Sequence, residues 1–432
     1  MPSNPLKRLN FGGNAQLLLS LYIPSMVMSF GHGMVAPIIP ILAASFGVSI
    51  GLAAQVVTAQ IVGRTVSLIP AGIIIDRWGR KPPLLGGPLL IAIASIMAAT
   101  TPIFPLLLLS QFLAGVGGSL WATAREIVAV DVVQPGQRGR MMSGFMGTNS
   151  VGTALGPVLG GVVGGIFGFQ ALFWIYGLIA LGTFAISLGI RETGRPATRA
   201  SSSGSPFPGK GAGGKGSNPL NIGSVREVEP YFRVTYVVLI ANTFVAMMRG
   251  ALITSMVPLY VGVQLGYSPI EVGTIFSIYG LVNVLMIAPT GYLSDTKGRK
   301  AVVVPSTLIA AAVFLAFPVM TQMWQLSILG GLTGVATGLA LGTMATYTYD
   351  VIPAHARGRL QTLRRVIGDS GALLGPLLGG IAADQWGAGS VFWLFVPLQL
   401  ISGLAIIFLA RESLAHVKAL AAAEESSARA SD

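Results

Sequence analysis

The sequence predicts an all-α membrane protein: twelve transmembrane helices in two six-helix bundles related by a pseudo-twofold axis. Three observations carry this expectation. The chain of 432 residues is 53% hydrophobic and only 10% charged, with a mean hydropathy of +0.73, more apolar surface than a soluble domain hides. Apolar runs of roughly 18–25 residues recur along it, each long enough to cross about 30 Å of hydrocarbon as a helix. Finally, Gly72-Ile-Ile-Ile-Asp76-Arg77-Trp-Gly79-Arg80-Lys81 returns as Gly291-Tyr-Leu-Ser-Asp295-Thr-Lys-Gly298-Arg299-Lys300, an offset of 219 (295 − 76). Self-similarity at a fixed period decides architecture before any residue is interpreted.

The spans are expected, in order, at 16–41, 52–75, 83–100, 105–132, 141–167 and 170–190, then at 234–262, 270–294, 301–320, 324–352, 360–384 and 389–411. Within lipid only helices or closed barrels satisfy their backbone hydrogen bonds, and these runs are too long and unbroken for barrel strands. Span 1 has no small-residue cleavage site before span 2 and reads as a retained helix, not a signal peptide. Span 8 opens on Ser268-Pro-Ile-Glu271, a capping box. The repeat holds register without a gap: Asp131 maps to Asp350, Arg138-Gly139-Arg140 to Arg357-Gly358-Arg359, Gly156-Pro157 to Gly375-Pro376, and Trp174 to Trp393.

The formal charge of +12 reports topology and argues for no nucleic-acid partner. Of 27 Lys and Arg, five lie inside spans (Arg64, Arg125, Arg249, Arg364, Arg365). The other 22 fall on the termini, the central linker and the loops after spans 2, 4, 8 and 10. The opposite loops, near Phe46, Pro102, Phe169, Tyr267, Thr321 and Gly387, carry none. This positive-inside pattern places both termini in the cytoplasm. Residues 191–233 include the stretch Ser201 to Ser217, rich in Gly, Ser and Lys, which cannot bury a core and reads as a flexible linker. The expected division is a bundle over 1–190, the linker over 191–233, a bundle over 234–415 and a cytoplasmic tail over 416–432. With no cysteines, disulfides and thiolate metal sites are ruled out. Three scattered histidines argue against any metal site, and no nucleophilic constellation is present, so an enzyme is the least expected class and no cofactor is implied.

The signature after span 2, repeated after span 8, resembles that of the major facilitator superfamily over the whole chain. The resemblance implies two bundles around a central cavity, with the signature forming a cytoplasmic latch. By position Asp76, Arg80 and Asp131 would form the first latch, and Asp295, Arg299 and Asp350 its counterpart. Gly152-x-x-x-Gly156-Pro157-x-x-Gly160-Gly161 is similar to the antiporter motif of the twelve-span drug:proton exporters, and Gly33-Met-Val-Ala-Pro37-Ile-Ile-Pro40 is similar to that branch's span 1. Yet Gly371-x-x-x-Gly375-Pro376-x-x-Gly379-Gly380 repeats the former motif in the second half, so it also reads as packing common to both bundles. Two departures stand out. Met28 occupies a position where the branch often has an acid, and Gln111 one where it often has an arginine.

Charge within hydrocarbon is costly and marks functional candidates, and polar residues without a counterpart in the other half are the better substrate candidates. Arg64, 12 residues before Asp76 and thus about 18 Å along the helix, shares a stripe with Gln60 and Ser67; the positions mirroring Gln60 and Arg64 are Tyr279 and Asn283. Arg249 shares a face with Asn242 in span 7. These six (Gln60, Arg64, Asn242, Arg249, Tyr279, Asn283) are the expected substrate-binding set. Arg125 either faces the cavity or joins the latch with Asp76 or Asp131. Asp369, on a face with Gln361 and Arg365, is either the proton carrier or half of a structural ion pair. Glu126 is the second proton candidate, and His32 either titrates or packs by its hydrogen bonds. Asp384 reads as a solvated helix-end residue. Trp121, Trp174, Tyr279, Tyr347 and Tyr349 are available to pad a pocket.

Together these readings describe a secondary active transporter working by alternating access. It is expected to act as a monomer in the plasma membrane, exchanging protons for a small amphipathic compound that is exported. Arginines outnumber acids in the spans, which favours neutral or anionic solutes. An importing symporter for an organic anion or sugar is the alternative on the same fold, and a non-transporting receptor the alternative from another class.

Overall fold

Every expected span is a helix in the computed structural model, which describes residues 15–132, 138–189, 222–340, 342–353 and 356–414. Span 1 is α1 (Ala15–Val35) with α2 (Ile39–Ala44). Then come α3 (Ile50–Trp78), α4 (Lys81–Thr100), α5 (Phe104–Val132), α6 (Arg138–Phe167) and α7 (Phe169–Leu188). The second half comprises α8 (Pro230–Pro258), α9 (Pro269–Lys297), α10 (Lys300–Ala316), α11 (Met323–Ala340), α12 (Thr343–Val351), α13 (Arg357–Trp386) and α14 (Val391–Leu409). Among the described residues, twelve segments are long and apolar enough to cross a bilayer. Of the expected linker and tail, 190–221 and 415–432 lie outside the described residues. A short 3-10 turn at Ile222–Glu227 precedes α8, which takes in residues 230–233 that composition assigned to the linker, because Pro230 opens a helix well.

Three spans depart from a plain rod. Span 1 breaks at residues 36–38: Pro37 cannot donate, and Pro40 stands in the first turn of α2, where no donor is needed. Span 7 continues past Pro258 as a π-helical turn, Leu259–Gln264. Span 10 divides at Gly342, whose φ of 82° suits glycine. The position that mirrors Gly342 is Thr123, inside the unbroken α5. The halves agree in sequence register while differing here in backbone.

The packing shows the pseudo-twofold directly. In the first half α3 packs on α5, α1 on α6 and α7, and α4 on α5 and α7. The second half repeats each pairing, with α9 on α11, α8 on α13 and α14, and α10 on α11 and α14. Between halves α3 meets α13 and α6 meets α9, two contacts that interchange under the repeat. Large apolar side chains such as Ile69, Leu178 and Phe408 face outward, as lipid contact requires.

Glycine sets how closely the helices approach. A Cβ on Gly152, Gly156 or Gly160 would lie 2.6, 2.6 or 2.3 Å from the carbonyl oxygens of Met26, Phe30 and Met34 on α1. In the second copy, a Cβ on Gly371 or Gly375 would lie 2.3 or 2.7 Å from the carbonyl oxygens of Phe244 and Met248. The last glycine of each copy faces the other half: a Cβ on Gly161 would lie 2.6 Å from the Pro269 carbonyl oxygen, and one on Gly380 2.8 Å from that of Gly51. The motif is therefore a packing device in both bundles, and its presence says nothing of transport direction.

We call the side bearing the basic connections the basic face and its opposite the neutral face. The halves touch from mid-depth to the neutral face: Gly280 lies on Ala154, the Val158 amide donates to Ser277 Oγ (2.9 Å), and Gly262 meets Ile41. Toward the basic face, Asp76, Trp78 and Arg365 are exposed.

The tightest seam, α3 on α5, yields a prediction. A Cβ at Gly115 would lie 2.1 Å from the Gln60 carbonyl oxygen, whereas nothing lies within 4 Å of one at Gly182. Gly115→Val should cost about 1–3 kcal/mol by overpacking, and Gly182→Ala should stay within about 0.5 kcal/mol. Thermal melting of detergent-solubilised protein followed by size exclusion checks both, and equal melting of the two variants would contradict this seam.

Candidate functional site

Three polar constellations stand out, one in the second half, one in the first and one between them. The first is at the basic face of the second half, where Arg299 begins the turn into α10. Its Nη1 donates to Asp295 Oδ1 (2.5 Å) and Ser294 Oγ (2.9 Å), and its Nε donates to Asp350 Oδ2 (3.0 Å). The Arg299 and Asp350 side chains are 8% and 11% exposed, against 73% for Asp295. Burial disfavours the Arg299 cation, but the hydrogen bonds and charges of Asp295 and Asp350 outweigh it and hold its pKa above the ordinary arginine value. Ser413 Oγ donates to Asp350 (2.9 Å), and Glu412 accepts the amides of Arg299 and Lys300 (2.9 Å each), a carboxylate at the N-terminus of α10. Neither Glu412 nor Ser413 was singled out from sequence. In the first half Asp76 is exposed and Arg80 is half-buried at the start of α4, while the Asp131 side chain lies outside the described residues.

The second constellation is a cavity of about 450 Å³, a size suited to a drug-like molecule. Its walls come from α1, α3, α4, α5, α6 and α7, all of the first half. Gln60 and Arg64 of the expected substrate set line it, together with His32, weighed as a proton carrier or a packing residue, and Met28. Arg125, weighed as a latch residue, stands in the same wall with its guanidinium 4.3 Å above the Trp121 ring, a cation–π contact. The i, i+4 spacing of Trp121 and Arg125 sets both on one face of α5. Asn149 of α6 turns its amide oxygen to Arg125 Nη2 (3.2 Å) and its nitrogen to Ser29 Oγ (2.7 Å) and the Ser25 carbonyl (3.2 Å), an orientation assigned from those partners. Asn149 escaped the sequence reading although its repeat counterpart is Gly368; the mirror test that singled out the charges would have found it.

At the cavity's edge Arg64 Nη2 lies 3.7 Å from Asp369 Oδ1 of α13, with side chains 49% and 13% exposed. This pair crosses between the halves. Sequence had set Asp369 beside Arg365, but Arg365 is exposed, and Gln361 bonds Arg364 Nε (3.0 Å) instead.

The third constellation is a clasp at the neutral face. Asp384 is exposed near the end of α13, as expected, and also accepts from Ser49 Oγ (2.9 Å) and the Gly51 amide (2.7 Å) of α3. Ser49 is the N-cap of α3. Its repeat counterpart Ser268 caps α9 with Glu271, three residues on, completing the box within the same helix. The equivalent of Glu271 in α3 is Leu52, so the acid arrives from the other bundle. Gln55 Nε2 adds a bond to the Pro376 carbonyl (3.3 Å).

The remaining candidates lie elsewhere. Asn242 donates to Ser402 Oγ (2.7 Å) and Thr307 Oγ1 (3.4 Å), buried within the second bundle and away from the cavity. Arg249 is 4% exposed and lies near Tyr279, whose hydroxyl pairs with Thr337. Tyr279 faces only a 10 Å³ void, and Asn283 is half-buried on α9 beside α11. Glu126 is exposed. Of the aromatics, Trp121 lines the cavity, Trp174 and Tyr349 are 46% and 48% exposed, and Tyr347 is buried, bonded to the Arg411 carbonyl.

Asp350→Ala would remove the buried partner of a buried guanidinium, leaving it Asp295 and Ser294, and should cost up to about 3–5 kcal/mol. Asp295→Ala removes an exposed partner and should cost no more than about 1 kcal/mol. Comparing the two melting curves tests the ranking, and a larger loss for Asp295→Ala would reverse it.

Comparison with known proteins agrees with this geometry. Over 172 residues the chain is 36% identical to the multidrug resistance protein MdtG of Salmonella choleraesuis (strain SC-B67), covering 39% of this chain and 42% of that protein. It is 34% identical over 172 residues to MdtG of Klebsiella pneumoniae (strain 342), covering 39% and 41%. The chain thus spans about two fifths of the length of the relatives it matches. Among solved structures it resembles the D-xylose-proton symporter (TM-score 0.69, 13% identity, 92% of this chain and 98% of that one). It also resembles the nucleoside transporter NupG (TM-score 0.74, 12% identity, 91% and 100%). At such identities the likeness is one of fold. The family profile of the Major Facilitator Superfamily matches residues 21–234 and 238–430, so the chain belongs to that superfamily of multi-pass membrane transporters.

Proposed function

We propose that this chain is a proton-coupled exporter of small amphipathic organic compounds, neutral or anionic, that works as a monomer by alternating access. The basic face is cytoplasmic, with both termini there, and the membrane is the plasma membrane; the one-sided placement of Lys and Arg supports this. The contact that carries the reading is Arg64 with Asp369. It joins the two bundles at the cavity's edge, and its carboxylate is ion-paired with one of the cavity's two arginines. Protonating Asp369 removes its charge, dissolves the pair and frees Arg64 for solute. Returning the proton restores the pair as the solute leaves. A group whose partner is exchanged in this way ties proton movement to solute movement.

In the form described here the neutral face is closed by the Asp384 clasp and the glycine seams. Transport requires those contacts to part while the basic face closes. The 36% identity to a multidrug resistance protein supports export over uptake. In everted vesicles with an acidified lumen, the exporter should accumulate solute. An importing symporter should do so only in right-side-out vesicles, and that outcome would reverse the direction.

Two variants probe the cycle. Asp369→Asn should reduce proton-driven accumulation at least tenfold and leave solute binding in place; transport with an unchanged pH profile would move the proton to Glu126 or His32. Asp384→Ala removes a cap contribution of about 1 kcal/mol, which shifts the balance of conformers about fivefold toward an open neutral face. Because the native chain has no cysteine, spin labels at Ser45 and Trp386 report that opening without background. A distance distribution identical to that of the parent would remove the clasp from the gate.

A further inference from the structure

The cavity has a polarity of its own, and it resides in one half. Its polar side chains include Arg64, Arg125, His32, Gln60 and Asn149. At the mirrored positions stand Asn283, Met344, Ala251, Tyr279 and Gly368. Both charges and the imidazole are lost under the repeat. In the second bundle a void of about 10 Å³ lies beside Tyr279, the counterpart of Gln60, with Ile253, Phe276 and Phe317 in its lining. Among the described residues no carboxylate lines the cavity; Asp369 lies beside it, paired with Arg64.

We propose that the first half alone recognises the charged end of the solute, and that this end is an organic carboxylate or sulfonate carried on an aromatic body. This rests on the transport reading above and narrows its solute class. Arg125 is held over Trp121 at 4.3 Å, with Asn149 on Nη2, so it is oriented before any solute arrives. Its planar fork suits a carboxylate, while the indole, Tyr176, Ile61 and Ile91 offer aromatic and aliphatic surface to the body of the molecule. Arg64, half-exposed in the same cavity, supplies the second cation once Asp369 releases it. A lipophilic cation would meet two guanidiniums and no acid in the lining.

The test uses the intact chain in phosphatidylcholine nanodiscs at neutral pH and three isosteric probes: 2-naphthoate, 2-naphthalenemethanol and 2-naphthyltrimethylammonium. Binding is read by isothermal titration. The parent should bind naphthoate at least tenfold more tightly than the alcohol, and the cation most weakly. Arg125→Met and Arg64→Asn each install the residue of the other half; each should lose at least tenfold for naphthoate and less than threefold for the alcohol. Arg125→Lys keeps the charge and should retain part of the preference. If Arg125→Met fails to give folded protein, Arg64→Asn, at a half-exposed side chain, decides alone. Equal weakening of all probes, or tighter binding of the cation, overturns the assignment. Proton-driven accumulation of the alcohol without anion preference would sink this inference and leave the transport reading standing. Anion-selective binding with no proton-driven accumulation of any probe would do the opposite.

Discussion

Helices surrounded by lipid tails gain little by hiding apolar side chains from one another, because the tails are equally apolar. What remains is the sum of many weak dispersion contacts, largest where two backbones come together with no side chain between. Here that condition is met by glycine rows, with the α1–α6 and α8–α13 seams built alike. Each bundle is thereby a tightly packed body, and small local changes are not absorbed within it. The seam between bundles is glycine-lined as well, and it adds two polar contacts from one half to the other, the Asp384 clasp and the Arg64–Asp369 pair.

Against this symmetrical frame, the departures from symmetry carry the chemistry. Gly342 divides span 10 at the position where α5 runs straight through with Arg125 two residues further on. The cavity occupies one half while its counterpart is filled by Tyr279 and its neighbours. The Arg299 cluster anchors the basic end of the second half through four neighbours, Ser294, Asp295, Asp350 and Glu412. A duplicated scaffold can thus lose a polar group from one copy and keep it in the other, and only the retained copy need answer to a solute.

The architecture was legible in the sequence because its signals are long and redundant: twelve apolar runs, a charge rule over six connections and a repeat in constant register. Each expected span coincides with a helix to within a few residues, and Ser268-Pro-Ile-Glu271 is the capping box it resembled. The site was legible only in part. His32, Gln60, Arg64 and Arg125 do share a cavity, but Asn242 turns into its own bundle toward Ser402, since helix phase alone does not say which neighbour a face meets. Asp369 was recognised as unusual while its partner was misjudged, because a residue on the same helix is visible in sequence and one in the other half is not. Asn149 was missed and Asp384 was given no partner for a simpler reason: comparison between the halves was centred on charged positions and their stripes and was not carried to span 5 or to helix ends, where Gly368 and Gly165 stand in their place.

The borrowed cap of α3 has a consequence for how such a chain can evolve. Ser49 has no acid of its own, and its partner's helix supplies one at a position where the first half has only glycine. A homodimer of first halves would leave both copies of this terminus with the Ser49 cap alone and no carboxylate, while one of second halves would carry a spare carboxylate beside a terminus already served by Glu271. The two segments have become complementary and are no longer interchangeable, so each helix end is complete only when two unlike halves meet.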